Sequence, residues 1–103
     1  MLCALTVRKL KPGTFEEFRA KFWPENQPPP GDWTTFHMLR NSEDADEVVT
    51  FGFFEGTADE LRRSQREQGY DDRVAEIQSL VESVPASGVY EFEVAVETAA
   101  RRD

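Results

Sequence analysis

The chain has 103 residues and a formal net charge of −8, from 20 acidic and 12 basic side chains. A phosphate-neutralising surface for nucleic acid needs an excess of Lys and Arg, and so does attachment to anionic membrane; neither partner is expected. The single cysteine, Cys3, rules out an intrachain disulfide, and 103 residues amount to one domain, 1–103.

Residues 2 to 10, Leu-Cys-Ala-Leu-Thr-Val-Arg-Lys-Leu, read as a first strand. Cys3, Leu5 and Val7 fall on one face and Leu2, Ala4, Thr6 and Arg8 on the other. Both faces start apolar, as in a central strand. Cys3 reads as a small packed residue. Lys11-Pro12-Gly13 is a turn. The spacing of Phe15, Phe18 and Phe22 predicts an amphipathic helix over 14–23, with Pro24 at its end.

Residues 24–32 hold four prolines in nine positions. They are stiff and extended in expectation, serving as a connector or as a lid over a pocket mouth. A second strand follows over 33–40. Strict alternation puts Trp33, Thr35, His37 and Leu39 on one face and Thr34, Phe36, Met38 and Arg40 on the other. His37 is the only histidine, and its unperturbed pKa lies near neutrality. The acidic run Asn41–Glu47 lacks the alternate-residue ligand spacing of a calcium loop and reads as a hairpin tip.

A third strand, 47–55, runs into Gly56 and then Thr57, with Glu60 three residues on. That spacing is a capping box at a helix start. Gly13-Thr14-Phe15-Glu16-Glu17-Phe18 repeats the pattern of Gly56-Thr57-Ala58-Asp59-Glu60-Leu61. The chain therefore divides into two β-α-β halves, a split repeat. The second helix has a polar body, with Ala58 and Leu61 as its clear apolar contacts, and Gly69 ends it. A further helix is expected over 71–84, capped by Asp71 or Asp72 and stopped by Pro85. A last strand is expected over 87–97, with Tyr90, Phe92, Val94 and Val96 on one face, then a frayed tail from Thr98.

The order strand-helix-strand-strand-helix-strand defines an α+β class: a ferredoxin-like β-α-β-β-α-β repeat with a four-stranded antiparallel sheet and helices on one face. The other face would leave Leu5, Val7, Phe51 and Phe53, or their opposite-face neighbours, in water. Homodimer formation is the expected remedy. No signal peptide or spanning apolar run is recognised, so the cytoplasm is the expected location.

Leu10-Lys11-Pro12-Gly13 before a Phe-rich helix, Pro30-Gly31-Asp32-Trp33 before strand two, and Asn41 through Val48 before an aromatic strand carry a resemblance over residues 2 to 97. On these residues the chain resembles the dimeric α+β barrel superfamily, and within it the antibiotic-biosynthesis-monooxygenase-like domains. The resemblance implies sheets paired into a barrel between subunits, with a small pocket between sheet and helices. Its members include cofactor-free monooxygenases, haem-degrading enzymes and isomerases. Phe54-Glu55 stands where many members have Trp followed by an acid. The Asn on strand one and the His on helix two of the haem-degrading branch are not matched here. No phosphate loop, nucleotide fingerprint, zinc cluster or nucleophile motif occurs, and no cofactor is expected.

Two functions stand side by side. One is a cofactor-independent oxygenase or related enzyme acting on a small apolar or aromatic metabolite. Its catalytic candidates are His37, Tyr70 and Arg8, and its pocket-lining candidates Phe54, Tyr70, His37 and Trp33. The alternative is a non-catalytic dimeric small-ligand-binding or stress-related module whose aromatics pack the core and interface. The two readings part over whether a formed cavity lies beside the sheet.

Overall fold

Two strands, the largely aliphatic β1 (Leu2–Leu10) and β3 (Glu47–Phe54), rich in Val and Phe, form the centre of the sheet. With β2 (Trp33–Arg40) and β4 (Val81–Glu91) at the edges, the order is β2-β3-β1-β4, all antiparallel. The computed structural model describes residues 1–22 and 32–94. The proline stretch, apart from Asp32, and the expected strand end and tail from 95 onward lie outside the described residues. Among the described residues no helix is long and apolar enough to cross a membrane.

β1 and β3 pair from Leu2 opposite Phe54 to Lys9 opposite Glu47. Residues directly opposite share a face. Leu2, Thr6, Arg8 and Leu10 therefore point the same way as Val48, Thr50, Gly52 and Phe54, and all eight are buried. Helices α1 (Phe15–Phe22), α2 (Ala58–Glu67) and α3 (Tyr70–Ile77) pack on that face. The apolar contacts form two clusters. Leu10 and Val48 meet Phe18 and Phe22 of α1 and Ile77 of α3. Leu2, Trp33 and Phe54 meet Leu61 of α2. Phe18 and Phe22 stack with ring centroids 5.3 Å apart. Each such ring removed from water contributes about 1.5–3 kcal/mol.

The capping box at Thr57 is present: the Glu60 amide donates to the Thr57 hydroxyl at 3.1 Å, and the Thr57 amide donates to the Glu60 carboxylate at 2.8 Å. These bonds pull the Glu60 pKa below its ordinary value. The matching box at Thr14 does not form. The Thr14 hydroxyl instead donates to the Lys11 carbonyl at 2.8 Å, closing the turn, and Glu17 pairs with Lys21 at 3.2 Å along α1.

Four further expectations are corrected. The helix expected over 71–84 ends at Ile77, passes through a 3-10 turn at Gln78–Leu80, and gives way to β4 at Val81. The apolar period of Val74, Ile77, Leu80 and Val81 suits one helix. The edge of β1 nevertheless claims the segment: Val81 pairs with Leu10, and the Lys11 amide donates to the Leu80 carbonyl at 2.8 Å. The last strand thus lies at 81–91 rather than 87–97. Pro85 stops nothing; it sits in edge strand β4, where the register with β1 slips between Val7 and Lys9 and no partner needs its missing N–H. Finally, α3 has no side-chain cap: Gly69, left-handed at φ 71°, joins it to α2, and Asp71 and Asp72 lie in its first turn.

Candidate functional site

The helix face of the sheet narrows toward its middle to small side chains. Ala4 and Thr6 on β1, Gly52 on β3, and Ser87 on β4 leave space where larger residues would touch the helices. Above them stands α2. Leu61 anchors it, fully buried, against Leu2, Trp33 and Phe54. Beyond Leu61 the residues facing the sheet are Arg62, Gln65 and Gln68 rather than apolar ones. Polar side chains over small ones cannot close the gap, and a cavity of about 320 Å³ remains between α2, α3 and the sheet. That is at the small end of the range of roughly 300–1,000 Å³ typical of ligand pockets.

Aromatic rings form one wall. Trp33 and Phe36 lie 5.0 Å apart, and Phe36 crosses directly over Gly52. A Cβ at position 52 would stand 2.6 Å from the Phe36 ring, so only glycine admits this arrangement. The Trp33 indole N–H donates to the Ser64 hydroxyl at 2.9 Å, tying the wall to α2. Trp33 reaches this side through a bulge: Thr34 is an extra residue between the pairs Trp33–Phe54 and Thr35–Phe53. Strict alternation had placed Trp33 with His37; the bulge puts them on opposite faces.

The opposite wall is polar. Arg8 is 3% exposed. Its Nη1 donates to the Thr50 hydroxyl at 3.0 Å and its Nη2 to the Tyr70 hydroxyl at 3.3 Å. Its guanidinium stands 4.6 Å over the Phe22 ring. Thr50 and Tyr70 line the cavity, and Arg8 lies behind them. Thr6 and Ser87 share a hydroxyl hydrogen bond at 3.1 Å. Arg73 also lines the cavity, and its Nε is buried with no hydrogen-bond partner.

The structure thus brings together Arg8, Tyr70 and Trp33 of the residues singled out by sequence. Phe54 lies beneath Trp33, 4.9 Å from its ring and 2% exposed, supporting the wall rather than lining the space. His37 stands on the far face of the sheet, stacked on Phe51 at 4.8 Å and beside the Thr35 hydroxyl at 3.0 Å. It cannot reach the cavity through the sheet. Sequence reasoning did not find Gly52, Arg62 or Arg73. The available signal was the polar body of α2, which is too wet for a helix that must cover a sheet.

By fold, the molecule is a ferredoxin-like α+β domain with a cavity between sheet and helices. Among solved structures it is similar to a provisionally assigned antibiotic biosynthesis monooxygenase from Deinococcus radiodurans, with a TM-score of 0.77, 8% identity, and coverage of 95% of this chain and 98% of that one. It is similar to SnoaB, a cofactor-independent oxygenase from Streptomyces nogalater, with a TM-score of 0.66, 12% identity, and coverage of 94% and 97%. A conserved protein from Methanosarcina mazei is also similar, with a TM-score of 0.74, 9% identity, and coverage of 89% and 92%. The chain therefore has the fold that its motifs suggested. By sequence alone it matches no family model and no curated protein.

Proposed function

We propose that this chain, working as one domain, is a cofactor-independent oxygenase acting on a small apolar or aromatic metabolite held over Ala4 and Gly52. The cavity carries this reading. A module whose aromatics served only packing would have filled the space between α2 and the sheet, whereas here Gly52 and the bulge at Thr34 hold Trp33 and Phe36 as a wall around it. The likeness in fold to SnoaB adds support.

The chemistry assigned to the residues is modest. Arg8 donates to the Tyr70 oxygen, so the Tyr70 hydroxyl keeps its own proton for a substrate oxygen. That proton, backed by the Arg8 charge, stabilises a substrate held as its enolate or phenolate. The enolate itself reduces O2. At a CH2 carbon two C–H bonds break and one oxygen atom is kept as a carbonyl. The other oxygen leaves with the two hydrogens as water.

Oxygen-electrode measurements with enolisable fused-ring ketones and phenols, without metal, flavin or haem, test this. The expected result is substrate-dependent O2 uptake that falls at least about tenfold in Tyr70→Phe. Binding of such compounds with no uptake across the set would leave the non-catalytic binding module instead.

We also propose pairing with a second copy through the face opposite the helices. Leu5, Val7, Phe51 and Phe53 share that face, next to Tyr90 at 48% and Phe92 at 46% exposure. Native mass spectrometry is expected to give a dimer, and Phe51→Lys a monomer. A wild-type monomer would overturn the pairing.

A further inference from the structure

Charge around the cavity runs against the charge of the chain. Acidic residues outnumber basic ones 20 to 12, yet no Asp or Glu lines the cavity among the described residues. The charged side chains that do line it are Arg62 and Arg73. Behind the wall, Arg8 is buried with two hydroxyl partners, and among the described residues no carboxylate pairs with it.

Such an arrangement is costly when the cavity holds only water. A buried guanidinium N–H without an acceptor, such as Arg73 Nε, forfeits the bonds it made in solvent. A buried charge without a counter-charge costs more still. Both costs are relieved by one anion in the cavity. A guanidinium fork matches a carboxylate in shape and in number of donors. The neutral donors Gln65 and Tyr70 lie on the same rim, while Trp33, Phe36 and Val89 offer apolar surface to the rest of the ligand.

Resting on the reading of this cavity as a ligand site, we propose that its ligand is a small amphipathic acid. A flat ring body lies against Trp33 and Phe36, and one carboxylate turns toward Arg73 and Arg62. The acidic surface elsewhere on the chain then acts as a filter. Bulk anions are repelled, and only an anion whose apolar body fits gains the arginines.

Isothermal titration of the full chain with 2-naphthoate and with 2-naphthamide tests the proposal, because the two probes share shape and differ in charge. The naphthoate is expected to bind about tenfold to a hundredfold tighter, the range for a charge-assisted hydrogen bond. Arg73→Gln is expected to abolish that preference while naphthamide still binds measurably, and an unchanged circular dichroism spectrum reports that the variant is folded. Arg73→Lys is expected to keep part of it. Equal affinities, or a preference that survives Arg73→Gln combined with Arg62→Gln, would overturn the acid while leaving the pocket standing. Failure of both probes to bind would overturn the pocket reading and this proposal together.

Discussion

The same two strands, β1 and β3, floor two different halves of the molecule. Under α1 and α3, Leu10 and Val48 meet Phe18, Phe22, Ile77 and Leu80, and the space is closed. Under α2, Ala4, Thr6 and Gly52 meet Arg62, Gln65 and Gln68, and a cavity of about 320 Å³ stays open. Topology is shared, so it cannot be what separates them. Side-chain size on the sheet and polarity on the covering helix decide it: a Phe stripe drives a helix down onto the sheet, and a polar stripe over small residues holds it off. Phe22 belongs to both halves, buried in the closed cluster and forming the boundary of the open one.

Substitutions in the two halves should therefore fail in different ways. The largest stability loss is expected from Phe18→Ala in the closed half, about 3–5 kcal/mol in chemical denaturation, because a fully buried ring leaves a void. Phe36→Ala in the open half is expected to cost only about 1–2 kcal/mol, since that ring is partly exposed and already borders empty space. Equal losses would show that the halves are packed alike.

Gly52→Val is next. The new side chain must push Phe36 aside, with a loss of about 1–3 kcal/mol in stability and of ring-probe affinity altogether. Gly56→Ala tests the junction into α2. With φ at 148° and a Cβ position 2.8 Å from the Phe54 ring and 2.9 Å from a Glu60 oxygen, it is expected to cost about 1–3 kcal/mol and to disturb the cap.

The smallest effect is acid sensitivity. Hydrogen bonding to Lys9 lowers the Asp44 pKa below 3.8, and that to the Thr57 amide lowers Glu60 below 4.5. Depressed folded-state values contribute stability above the ordinary carboxylate range, and that contribution is lost as pH falls through them. Stability is therefore expected to be flat near neutrality and to decline below about pH 4.5. Asp44→Asn should flatten only the part due to the hairpin.

Helix α1 over the closed half and the start of α2 over the open half were legible in the sequence because their signals are local. The Phe15, Phe18 and Phe22 stripe and the Thr57–Glu60 box are local signals, and both appear in the structure. The stretch 78–85 was misread because Leu80 and Val81 suit either period, and only pairing with a strand some seventy residues away decides between them. The site was half legible. Trp33, Tyr70 and Arg8 drew attention as chemistry-bearing types, but their meeting depends on the bulge at Thr34 and on β1 lying beside β3, which no local spacing encodes. His37 drew attention for the same reason and lies on the other face. Gly52 and Arg73 carry no local motif; one matters for the ring it lets pass, the other for a partner it lacks.

The central claim, that the space under α2 is a ligand site, is tested most directly by NMR during titration with 2-naphthoate. The Trp33 indole N–H and Arg73 Nε–H resonances are predicted to shift together and saturate at one ratio, while the His37 ring and Tyr90 signals stay in place. Shifts confined to His37, Phe51 and Tyr90, with Trp33 and Arg73 unmoved, would place binding on the outer face and contradict the account.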